Sequence, residues 1–195
     1  GNICEYAIVE SALVIPSKLT YAMIKPAFGS CYGLIRHKWF SKLQFKSLKI
    51  KQELFDDYYK DTCGIAKHNM IAFLQANSLY SIKESIEKCT AKVKVFVGER
   101  ENAAMKKSAQ IINENLKSSS LRVMRKMYHG EFSINHANDY VEEILAMVKA
   151  WKFQSCGEIE STQEFGVYAC FQEKIDIFGW LVYTMYILNL RGFLD

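Results

Sequence analysis

Residues 92–97, Lys-Val-Lys-Val-Phe-Val, alternate charged and apolar side chains and then run apolar into Gly98. A period of two places successive side chains on opposite faces of a strand, and an apolar finish buries both faces. The strand is followed over 103–117 by a helical pattern with Met105, Ala109, Ile112 and Leu116 on one face. Ser118, Ser119 and Ser120 read as a loop, and 121–127 (LRVMRKM) alternate as a second strand. Val141, Ile144, Leu145, Val148 and Trp151 fall at helical spacing and predict a last helix over 138–151. Strand, helix, strand, helix is the α/β order, which implies parallel strands joined by right-handed crossovers. Ligands and reacting groups gather at the carboxyl ends of such strands. Glu101 stands at the first of these ends and His129 at the second.

Before this unit, residues 5–15 (EYAIVESALVI) form an apolar run broken at Glu10 and Ser11 and closed by Pro16, and they predict a buried strand. Residues 18–88 then carry helical patterns with few strand signals. Phe45, Leu48, Leu54, Phe55, Tyr58 and Tyr59 recur at mixed three- and four-residue steps. Met70, Phe73, Leu74 and Asn77 form a clearer stripe. Ser81 with Glu84 has capping-box spacing for a short helix through Lys88. With 195 residues, half of them hydrophobic, the chain has enough apolar material for one domain with an appendage, which excludes wholesale disorder. A net charge of +4 does not by itself point to nucleic acid.

Cys4, Cys31, Cys63, Cys89, Cys156 and Cys170 are widely spaced and form no CxxC, so zinc ribbons and redox pairs lack support and no metal or organic cofactor is expected. The opening residues have neither the basic start nor the cleavage site of a signal peptide. Together these predict a cytoplasmic chain with reduced, buried thiols. Residues 152–195 differ in character: polar, glycine-punctuated sequence leads to an uncharged stretch from Ile177 to Leu190. A bilayer span needs ~20 apolar residues, so a buried helix or strand pair is the better expectation for those 14.

KVKVFVGEREN with AAMKKSAQII, followed by LRVMRKMYHGEFSINHANDYVEEI, resembles the C-terminal part of a bacterial α/β-hydrolase. In that family a strand ends in a Gly-x-x-acid turn that carries the acid of the catalytic triad, and the next strand ends in a turn that carries the histidine. Gly98-Glu99-Arg100-Glu101 matches the first turn, with Glu where the family more often has Asp, and Tyr128-His129-Gly130-Glu131 matches the second. EYAIVESALVIPSK resembles the sixth strand and the helical region after it the lid. The resemblance covers 1–150, with a lid at about 17–88, and leaves 151–195 as an extension of unknown role. It implies a small parallel sheet with a helical lid, and a triad in the chain order nucleophile, acid, histidine, which Glu101 and His129 obey.

The chemistry accounts for the residue types. A serine hydroxyl is a weak nucleophile until a base takes its proton. Histidine suits that task, and a carboxylate holds it in the useful tautomer. Considered apart from the resemblance, a Glu in a turn is most often a solvated charge and a single His most often structural. His136 is a rival base, although its place at the start of the last helix suits capping or a surface contact better. Ser133 and Asn135 are expected to shape the histidine turn without a chemical role.

No serine sits in G-x-S-x-G. The strands that precede the sixth in the family are also missing, and a complete domain of this kind needs ~250 residues. The expectation is a truncated, split or partial serine hydrolase for an ester or other acyl substrate, inactive alone. Gly29-Ser30-Cys31-Tyr32-Gly33 spells a cysteine elbow, but Lys25 and Pro26 spoil the strand that should precede it. A non-enzymatic interaction protein is the alternative, with a free sheet edge buried in an upstream fragment or a second copy. In the lid, Arg36, Lys38, Lys42, Lys46, Lys49 and Lys51 occur without an intervening acid, a pattern that can meet a membrane surface or an acidic partner but is more simply a solvated face. Phe28, Trp39, Phe40, Phe73 and Leu74 are the candidate lining of an acyl pocket.

Overall fold

The computed structural model describes residues 4–155; the Ile177–Leu190 stretch, Cys156 and Cys170 lie outside the described residues. Three strands, β1 (Tyr6–Glu10), β2 (Lys92–Gly98) and β3 (Ser119–Met124), form a parallel sheet in the order β1-β2-β3. The fold is therefore α/β, as expected. The central strand is covered on both faces, which explains its almost continuous apolar run. Val93, Val95 and Val97 pack on Ala109 and Ile112 of α5 (Ala103–Asn115), while Phe96 meets Met124 and Phe132 on the other face. Asn102 starts α5 by accepting from the Met105 N–H at 2.9 Å.

Between β1 and β2 the chain makes a long helical excursion through α1 (Lys18–Cys31), α2 (Lys38–Leu48), α3 (Phe55–Gly64) and α4 (Lys67–Ser78). The excursion has its own core. Ile24, Phe28, Tyr32, Ile35, Phe40, Met70 and Leu74 form one cluster, and Phe45, Leu48, Phe55 and Tyr58 a second. Of the expected pocket lining, Phe28, Phe40 and Leu74 are buried in the first cluster, Phe73 packs against it, and Trp39 is 64% exposed. The apolar stripes serve helix-on-helix packing first. Lys38 and Lys42 of the basic run lie over the rings of Tyr59 and Phe55, at 5.5 and 5.8 Å.

Several local expectations give way. The first strand stops at Glu10, because Ser11 turns into the left-handed region at φ 54°. Ser119 and Ser120 belong to β3: ladder bonds use the backbone, and Ser119 pairs with Val93. Ser81 caps nothing at the Glu84–Lys88 turn, a 3₁₀ helix that Lys83 precedes. The last helix forms as expected and runs longer, as α7 (Ala137–Ser155), and a short helix that was not expected, α6 (Glu131–Asn135), precedes it. The four described cysteines are free thiols, Cys4 exposed and Cys31, Cys63 and Cys89 half-buried, so none is buried as expected. Among the described residues no helix is long and apolar enough to cross a membrane.

Glu143 ties α7 to the sheet, accepting from Lys94 of β2 at 2.6 Å and pairing with Arg122 of β3. The hydrogen bond from Lys94, with the two positive charges, holds its carboxyl below the ordinary 4.5 against the pull of burial. The native state thus keeps Glu143 ionised at pH values where the unfolded chain is already protonated. Its stabilising contribution is complete above 4.5 and is lost as pH falls through the lower folded value. Glu143→Gln should lose less stability than the wild type across that acid range, as read from urea midpoints.

Candidate active site

The carboxyl ends of all three strands converge on one carboxylate. Glu101 follows β2 through a tight turn in which its N–H donates to the Gly98 carbonyl at 3.1 Å. Its side chain folds back over the strand end, where Oε1 accepts from the Gly98 N–H at 2.7 Å and from the Ser11 hydroxyl at 2.8 Å. Oε2 lies 2.9 Å from Nδ1 of His129. Both side chains are almost wholly buried, at 1% exposure for Glu101 and 5% for His129. A carboxylate offers acceptors only, so the bond requires the ring proton on Nδ1 and makes Nε2 the basic nitrogen. The sequence-derived pair Glu101 and His129 therefore meets in space, across 28 residues of chain.

The two turns are laced together. Glu99 N–H donates to Met124 O and Arg100 N–H to Met127 O, while the Glu99 carboxylate accepts from the Lys126 N–H at 2.7 Å. Glu131 accepts from the Tyr128 N–H at 2.8 Å. Gly98 is required by the close approach of the histidine turn: a Cβ there would lie 2.4 Å from Met127 O and 2.8 Å from Tyr128 O. Gly130, directly after His129, takes φ 63°, a conformation that glycine adopts without a Cβ penalty.

Ser11 is the residue that sequence reasoning missed. Its hydroxyl donates to Glu101 and accepts the Gly130 N–H at 3.0 Å, and its own N–H donates to Phe96 O at 3.0 Å. The polar break after Ile8 and Val9 was its only trace in the sequence. Glu10, its neighbour, accepts from the Phe132 and Ser133 N–H groups at 3.1 and 3.4 Å. Burial pushes the Glu10 carboxyl above its ordinary value, aided by the nearby Glu101 charge and opposed by the hydrogen bonds from Ser133 and Phe132.

The helical excursion reaches this region through Asn135, whose Oδ1 accepts from Lys51 N–H at 3.1 Å and whose Nδ2 donates to Lys49 O at 2.8 Å. Tyr128 lies between Lys49 and Arg100, at 5.8 and 5.2 Å from its ring centre. Ser133 donates to Gly130 O at 3.4 Å. Ser133 thus braces the histidine turn, and Asn135 ties the segment after it to the excursion while its Nδ2 also donates to the Glu131 carboxylate at 3.4 Å. His136 lies elsewhere, half-buried at the junction between α6 and α7 and 3.9 Å from Asp139 of α7. Cys31 closes α1 and donates to Ala27 O, and the Gly29–Gly33 segment is helical throughout. It lacks the strand-to-helix turn of a nucleophile elbow, so the cysteine alternative loses its geometry. Among the described residues no group of three or more His, Cys, Asp or Glu could hold a metal ion.

The fold matches solved α/β-hydrolase structures. An esterase from Exiguobacterium antarcticum superimposes with a TM-score of 0.58 at 15% identity, over 74% of this chain and 57% of that one. A bromoperoxidase from Bacillus anthracis gives 0.58 at 13%, over 74% and 58%. MenH from S. aureus gives 0.56 at 13%, over 77% and 61%. At these identities the likeness shows the fold alone, and the chain spans less than two thirds of each of these proteins. No family model and no curated protein sequence matches the chain.

Gly98→Ala should force the histidine turn away from β2 and cost about 1–3 kcal/mol or more, measured by urea unfolding. A second test concerns Glu10. Between 4.5 and its raised folded value, the native state holds a proton that the unfolded chain has released, so stability falls as pH rises through that window. Glu10→Gln cannot ionise and should abolish this fall, as a series of urea midpoints from acid to neutral pH would show.

Proposed function

We propose that this chain carries the acid–base half of a serine-hydrolase site for an ester or other acyl substrate. The observation that supports the reading is the buried Glu101–His129 hydrogen bond at the carboxyl rim of a parallel sheet. Glu101 orients the imidazole and stabilises the imidazolium. His129 Nε2 takes the proton of a nucleophilic hydroxyl as its oxygen bonds to the acyl carbon and the carbonyl electrons move onto oxygen. That intermediate collapses when the same proton passes to the departing group. Water then repeats the two steps to release the acid. The hydroxyl and the oxyanion donors come from a further segment, an upstream strand–turn–helix with G-x-S-x-G that pairs with the edge of β1 that no described strand occupies, supplied in the same polypeptide or as a separate fragment. The helical excursion 17–88 acts as the lid over the acyl group. The site needs no metal or organic cofactor, and we place the chain in the cytoplasm.

A second reading is favoured by the depth of burial: Glu101 and His129 together close the sheet rim in a binding protein without chemistry, which pairs through β1 with a second copy or another partner.

The test is the reading frame extended upstream of residue 1, expressed whole and assayed on p-nitrophenyl butyrate. Turnover that falls about 10²–10⁴-fold in His129→Ala, with the fold retained by circular dichroism, is the expected result. An extended frame without such a segment, or turnover indifferent to His129, contradicts the reading. The chain of residues 1–195 alone should show no His129-dependent turnover.

A further inference from the structure

We infer that Ser11 is a positioning residue that sets the distance and angle between Glu101 and His129, and so deepens the acid–base reading on which it rests. Three features single it out. Its hydroxyl is shared between the two halves of the pair: it donates to Oε1 of the acid and accepts from the N–H of Gly130, the residue after the base. These partners lie 90 and 119 residues away, so one oxygen fastens three strand ends together. Its backbone holds φ 54°, a conformation that serine adopts at a steric cost and that persists where the surroundings over-determine it. It is also 2% exposed, which shields the hydroxyl from bulk solvent.

The consequence concerns orientation. Glu101 Oε1 is pinned by two donors, Gly98 N–H and Ser11 Oγ–H, and this leaves Oε2 turned toward Nδ1. With the Ser11 donor removed, Oε1 keeps only the Gly98 N–H, and the carboxylate gains freedom to rotate away from the angle at which Oε2 meets Nδ1. The Gly130 N–H simultaneously loses its acceptor, which frees the backbone that carries the imidazole. A base misplaced by as little as an ångström loses much of its advantage. The hydroxyl therefore acts through Glu101 and Gly130 and has no reacting role of its own.

Two substitutions separate this role from a merely structural one. Ser11→Ala removes the hydroxyl and keeps the strained backbone. Ser11→Gly removes the hydroxyl and relieves the strain, so its fold should be at least as stable as that of Ser11→Ala. The readout is the His129 Nδ1–H proton resonance downfield of the amides, assigned by its loss in His129→Ala, on the intact 195-residue chain alongside urea midpoints. The expected result is a sharp resonance in the wild type that is lost or moved upfield in both Ser11 variants, including a Ser11→Gly protein that unfolds no earlier than Ser11→Ala. A resonance unchanged in Ser11→Gly overturns the inference while leaving the Glu101–His129 pair standing. Absence of the resonance from the wild type itself overturns both, since there is then no ordered pair for Ser11 to position.

Discussion

One carboxylate holds the rim of this sheet together. Glu101 gathers an N–H from the end of β2, a hydroxyl from the end of β1 and an imidazole from beyond β3. Its carboxylate group is buried, so each of those bonds is made in a low-dielectric setting where an unmatched polar group is costly. Loss of one donor leaves the others poorly placed, and the three strand ends depend on one another through it. Gly98 supplies the space: only a residue without a side chain lets Met127 and Tyr128 pass close enough for the imidazole to arrive.

The same arrangement fixes which nitrogen of His129 is basic. A carboxylate at Nδ1 demands a proton there, and the lone pair then sits on Nε2. This is the orientation that acyl transfer requires. The helical excursion has a mechanical link to that ring through Asn135, which bonds the backbone at Lys49 and Lys51 beside the histidine turn. Asn135 thus joins the segment just after α2 to the backbone five residues beyond Gly130.

The sheet was readable because the periodicity of 92–97 is strong and because strand and helix alternate after it. That Glu101 and His129 meet was foreseeable because both follow neighbouring parallel strands, in turns that resemble those of α/β-hydrolases. Ser11 was not, since its importance depends on a left-handed φ and on partners far off in the chain, and neither leaves a pattern in a short window. Ser119 and Ser120 were misread as loop because their composition suggested a turn, whereas the ladder to β2 is indifferent to side chains. The spacing of Ser81 and Glu84 imitated a capping box, yet the segment forms a 3₁₀ turn that starts elsewhere. Phe28, Phe40 and Leu74 showed the correct helical stripe, but a stripe does not say which surface it meets, and here it meets other helices of the excursion.

The tautomer of His129 is the most direct measure of the central claim. Ring nitrogen shifts from long-range ¹H–¹⁵N spectra, recorded where the imidazole is neutral, report which nitrogen bears the proton. The account predicts a proton on Nδ1 and an unprotonated, pyridine-like Nε2. A ring with Nε2 protonated would contradict it, because the nitrogen required as base would then have no lone pair to offer.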